Sequence, residues 1–114
     1  MNHQNRRERT IVGVIVHLLG LVFGVFAAIP MYILSTADFS KANARCALNW
    51  QLFFLGVLFM LLVVFFVVGS DLVSVIAGFM IFGLVVADLL FSLYATYKAT
   101  TGDVWSYPFA PEII

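Results

Sequence analysis

The sequence predicts an all-α membrane protein with three transmembrane helices, and three observations lead there. Hydrophobic residues make up 63% of the 114-residue chain, charged residues 11%, and the mean hydropathy is +1.07; a soluble domain averages about 25% charged residues. The charges are also segregated: residues 11–34, 46–70 and 72–87 hold no Asp, Glu, Lys or Arg, and beyond Asp88 the apolar run resumes to Tyr97. Each segment supplies the about 20 residues a helix needs to cross hydrocarbon. In lipid an isolated segment pairs all its backbone groups only as a helix. A membrane barrel would need many alternating segments of about ten residues, and continuous runs such as 63–68 are not of that kind.

The elements follow in order within one membrane domain, residues 1–114. The first span is read over residues 11–34, with Pro30 as a kink or early stop in its last turns. The apolar stretch runs on past the signal-peptide-like Val25-Phe26-Ala27 to Leu34, longer than a cleaved h-region requires, so it is read as a span. A short interfacial turn carrying Lys41 and Arg45 precedes the second span, residues 46–69, with Asp38 or Ser40 as its cap. Gly69-Ser70-Asp71 makes a tight turn, Gly69 ending one helix and Asp71 capping the next. The second and third spans (46–69 and 72–97) thus form an antiparallel hairpin, and Gly102 stops the last helix. The extended tail, 102–114, holds Trp105, Tyr107, Pro108 and Pro111, aromatics suited to the headgroup region.

With three spans, Arg6, Arg7 and Arg9 face one side, while Lys41, Arg45 and Lys98 face the other. The positive-inside comparison is then a tie, and the denser N-terminal cluster places the N-terminus inside at the cell membrane.

Small and polar residues recur at helical spacing: Gly13, His17, Gly20, Gly24 and Ala27 in the first span; Arg45, Asn49, Phe53 and Gly56 in the second; Ser74, Gly78, Ile81, Val85, Asp88, Ser92 and Ala95 in the third. Helices in lipid associate through close approach at such residues, so these stripes are read as packing seams. Asp88 lies in the half of the bilayer where the second helix begins, so Asn49 and Gln51 are its expected partners. His17, entering from the opposite face, is offset from it by about 10 Å or more. A charged Asp at the bilayer centre costs about 2.5–3.5 kcal/mol, so Asp88 is paired, protonated or functional. With no second acidic residue inside the spans, hydrogen-bonded glue is favoured over a proton or cation site. His17 is read the same way.

Function classes fall away in turn. Six basic and six acidic side chains cancel, which leaves no long-range field for nucleic acid. Cys46 is the single cysteine, so neither an intrachain disulfide nor a cysteine zinc cluster is expected. No phosphate loop, paired carboxylates or nucleophile triad is present, so no enzyme activity, cofactor or metal is expected. The expected partners are the lipid bilayer, other copies of the chain, or a larger membrane complex.

Two blocks and a fragment carry a resemblance. Residues 41–54, with Ala47-Leu48-Asn49-Trp50-Gln51 after a charged amphipathic turn, resemble the opening of the middle span in the Tic-twenty-like prokaryotic membrane proteins. Residues 97–108, with Lys98-Ala99 and then Gly102-Asp103-Val104-Trp105 and Tyr107-Pro108, resemble that family's closing motif. His17-Leu18-Leu19-Gly20 resembles its opening. The wording looks most like archaeal members. The resemblance covers residues 17–108 and implies a small multi-pass protein of a family without an assigned reaction, distantly similar to a chloroplast protein-import component. It suggests a non-enzymatic subunit or scaffold, with Lys41, Arg45, Lys98, Trp105, Tyr107 and Pro108 in one interfacial cap. The alternative is a small oligomeric transporter or channel using Asp88.

Overall fold

The structure, a computed structural model, describes residues 10–114; Arg6, Arg7 and Arg9 lie outside the described residues. Among the described residues there are four helices and no strand: α1 (Ile11–Phe23), α2 (Val25–Leu34), α3 (Asp38–Val67) and α4 (Asp71–Thr100). Two of them, α3 and α4, are long and apolar enough to cross a membrane. The sequence reading of 46–69 and 72–97 as a hairpin falls within them.

The predicted first span is not one helix. It breaks at Gly24, whose φ of 62° and ψ of −139° lie where only glycine sits without strain. Pro30 stays inside α2 and does not end it. The chain then doubles back. The Thr10 hydroxyl, which caps α1 by accepting from the Gly13 amide at 3.0 Å, also bonds the Ser40 hydroxyl in the first turn of α3. A straight helix of 24 residues would separate its ends by about 36 Å, yet Thr10 and Val12 share one surface hollow with Leu34 and Ser35. α1 and α2 are therefore a short helical hairpin with Gly24 at its tip.

This changes which end the start of α1 occupies. Gly13 abuts Phe39, His17 bonds Asn43, and Gly20 and Gly24 both face Gln51, so α1 runs parallel to the first turns of α3. Thr10 stands at the Ser40 end of the molecule, not beside the Gly69 turn as a three-span path requires. The expected interfacial turn also shifts. Residues 35–37 make the connection, and Lys41 and Arg45 lie within the continuous helix α3. Asp38 occupies its first turn rather than its cap, which is Ala37. At α4 the cap is Ser70, accepting from the Val73 amide, with Asp71 in the first turn. α4 ends in a Schellman closure, in which Asp103 N donates to Lys98 O and Gly102 N to Ala99 O.

The molecule measures 57 × 22 × 21 Å and has two unequal parts. In the stem, the far halves of α3 and α4, only Ala77 is buried between residues 52 and 87, and Phe59, Met60, Phe66, Phe79 and Phe82 are exposed. The Ser74 hydroxyl ties the two helices by donating to Phe65 O at 2.9 Å. In the head, α1, α2 and the C-terminal tail wrap the other halves. There Val16, Ala44 and Ala47 pack with Met31 and Tyr32, while Trp50, Ala95 and Tyr107 pack with Phe53, Phe91 and Trp105.

Candidate functional site

The head holds a continuous network of buried polar side chains. At its centre is Asp88, on the inner face of α4, with neighbours supplied by α3 and by α4 itself. The Trp50 indole N–H donates to Asp88 Oδ1 at 2.7 Å, and the Gln51 amide and Ser92 hydroxyl approach the same oxygen at 3.5 and 3.4 Å. Trp50 is thus the shortest contact of Asp88, a partner that sequence reasoning missed because a tryptophan in a span reads as bulk. A ring nitrogen that must be hydrogen-bonded when buried was the available signal.

Asn49 is not an Asp88 partner. One residue before Trp50, it points around the helix to the tail, where its Oδ1 accepts from the Ile113 and Ile114 amides at 3.0 and 2.8 Å. Neither amide lies in a helix or sheet; the Ile113 amide also reaches Pro111 O at 3.0 Å, and for the Ile114 amide the side chain supplies the acceptor that secondary structure would otherwise provide.

Tyr107 departs furthest from its expected place. It does not sit among headgroups: 4% exposed, it stacks on Trp50 with ring centroids 5.5 Å apart. Its Oη lies 2.7 Å from His17 Nδ1, and His17 Nε2 lies 2.8 Å from Asn43 Oδ1. The Asn43 amide nitrogen donates to Phe39 O, so Oδ1 must accept, and the His17 Nε2–H is its donor. In the neutral imidazole Nδ1 then accepts from the Tyr107 hydroxyl. The Ser92 hydroxyl stands beside Tyr107 as well as Asp88. His17 and Asp88, expected at separate depths from opposite faces, therefore belong to one network bridged by Tyr107 and Ser92.

The remaining residues named for the cap each have surroundings of their own. Lys98 is paired with Asp103 at 3.3 Å. The Lys41 ammonium lies 4.7 Å from the centre of the Tyr32 ring. Arg45 is exposed. Trp105 packs edge-on against Phe91 and Tyr94, and Pro108 leads into Phe109, an exposed residue at φ 69°. Cys46 Sγ and Ser106 Oγ, 3.8 Å apart, form another tie between α3 and the tail. Among the described residues no group of three or more His, Cys, Asp and Glu is placed to hold a metal ion.

Residues 8–114 match the MamF/MmsF family, the magnetosome magnetite crystal formation proteins. The chain belongs to this family. The likeness to Tic-twenty-like proteins is thereby overturned: its three short motifs of common membrane residues are outweighed by a match over nearly the whole chain, and the archaeal affiliation goes with them. No curated protein and no solved structure matches. For this MamF/MmsF-family chain, the matched region includes every residue of the network just described.

Burial raises the Tyr107 phenol above its ordinary value. The sign follows: with the folded-state value above the unfolded one, about 10, the contribution to the docked tail is full below the unfolded value and is lost as pH rises from there through the higher folded-state value. Alkaline titration of the intact protein, followed by the emission of Trp50 and Trp105, is expected to show the tail leaving the head only above about pH 10. Release at neutral pH would contradict the assignment.

Proposed function

We propose that this chain is a non-enzymatic membrane scaffold in magnetite crystal formation. In this reading α3 and α4 cross the bilayer, α1–α2 enters and leaves the same leaflet, and both ends of the chain lie on one face. The observation that carries the scaffold reading is the use made of the polar groups. Among the described residues every buried side-chain nitrogen and oxygen has a hydrogen-bond partner, and those partners join α1, α3, α4 and the tail to one another. Groups so occupied act as glue.

The fold-back also supports an orientation. Lys41, Arg45 and Lys98 are at the head end, and Arg6, Arg7 and Arg9 directly precede Thr10, which stands there too. The Gly69-Ser70-Asp71 turn has no basic residue. In this reading the tie of the three-span path becomes six against none, which supports a head on the cytoplasmic side.

Asp88→Asn and Asp88→Leu test the reading. Asn keeps an acceptor for the Trp50 indole and is expected to leave assembly and crystal size in a magnetosome-forming host near wild type. Leu strands that buried donor, at about 1–3 kcal/mol, and is expected to lower the melting temperature in detergent and alter crystal size. If Asn abolishes crystal maturation while the protein remains assembled, Asp88 is a proton or cation site and the scaffold reading fails.

A further inference from the structure

We propose that the chain is a curvature-selective wedge whose partner is a strongly bent lipid bilayer, with the head in the convex leaflet. The inference rests on the two-span reading above and adds what the shape then does.

The cross-section of the molecule is unequal along its axis. From Gly69 to the level of Gln51 and Asp88, the stem is two helices wide, about 25 Å of the bilayer at 1.5 Å per residue. Past that level α1, α2 and the tail are added. Each added helix, about 10 Å across, occupies about 80 Å² of membrane plane, all on one side of the bilayer. The added surface is apolar where it meets the surroundings: Val22, Phe23 and Phe26 are exposed around the Gly24 tip, and Ile29, Ile33 and Leu34 along α2. No other described residue covers them, and lipid is the surrounding that accepts them.

The wedge is also held stiff. Gly13 fits so closely to Phe39 that a Cβ there would lie 2.5 Å from its ring, and His17 is fixed between Asn43 and Tyr107. A body that widens in one leaflet crowds the lipids there and leaves those of the other leaflet loose. Bending with the wide end outward relieves both, which is why shallow one-leaflet insertions respond to curvature.

The test uses the full-length protein reconstituted into phosphatidylcholine–phosphatidylglycerol vesicles of about 50 nm and about 400 nm diameter, with protein per lipid measured in each size class. The small vesicles are expected to hold about threefold more protein per lipid, with the head outward, by analogy with other shallow insertions. Equal densities would overturn the proposal. Gly24→Leu, which favours a continuous first helix, should remain resistant to alkaline extraction yet lose the size preference; retention of the preference would also overturn it. Protease access to tags at both ends of the wild-type chain separates the two levels. Ends on opposite faces would defeat the two-span reading and the wedge with it, whereas ends on one face with equal densities would defeat the wedge alone.

Discussion

Tyr107→Ala is expected to free the C-terminal tail from the head and to cost about 3–5 kcal/mol, the range for removing a buried aromatic ring. The ring is sandwiched where three parts of the chain meet, stacked on Trp50 of α3, 5.5 Å from the His17 ring of α1, and beside Trp105 of its own tail. Its loss leaves a cavity and leaves His17 Nδ1 without its hydrogen-bond partner. Tyr107→Phe separates these effects. The phenylalanine keeps the stacking and loses only the hydroxyl, which strands the buried His17 Nδ1 at about 1–3 kcal/mol. Thermal unfolding in mild detergent, followed by the emission of Trp50 and Trp105, measures both. Should the Ala variant melt with the wild type and show unshifted emission, Tyr107 does not hold the tail.

The same residues show what could be read in the sequence and what could not. The α3–α4 hairpin was legible because charge-free length and a Gly-Ser-Asp turn are local signals, and because two long helices in lipid have few other arrangements. Asp88 facing inward toward Gln51 was legible too, since a carboxyl in hydrocarbon must turn to a donor. The inward turn of Tyr107 was not. A Trp-x-Tyr-Pro stretch after a last span has the composition of an interfacial anchor, and the partner that draws it in, His17, lies 90 residues away in sequence. Asn49 misled for a related reason: its amide suits Asp88 as well as it suits two backbone amides at the end of the chain, and only helix phase decides between them. The larger loss was Gly24. A Gly20-x-x-x-Gly24 pair in an apolar run signals close helix packing, and the same letters serve a chain reversal. Pro30 offered a more conspicuous place to break.

In the proposed two-span reading Gly24 governs how many times the chain crosses, and substituting it is expected to have the largest effect of any single change. Space is not the constraint. A Cβ at Gly24 would meet only the Gln51 side chain, at 3.7 Å, an ordinary contact. The backbone is the constraint: at φ 62° and ψ −139° a residue with a Cβ is strained by about 1–3 kcal/mol. In a helix Gly→Ala gains about 1 kcal/mol. Both terms favour straightening residues 11–34 into one helix of about 36 Å, enough to cross about 30 Å of hydrocarbon. The hydrogen bonds from His17 to Asn43 and Tyr107 oppose it, so Gly24→Ala is expected to give a mixture and Gly24→Leu, with its larger gain in lipid, mainly the three-span form. Arg6, Arg7 and Arg9 would then stand against Lys41, Arg45 and Lys98, three on each side, so the whole molecule should insert in both orientations. Within each molecule, however, the two ends lie on opposite faces. Tags at both termini, scored for protease protection in sealed vesicles, read this directly: shared accessibility in the wild type and opposite accessibility in Gly24→Leu. If the Leu variant keeps both ends on one face, packing in the head rather than the conformation of one glycine sets the topology.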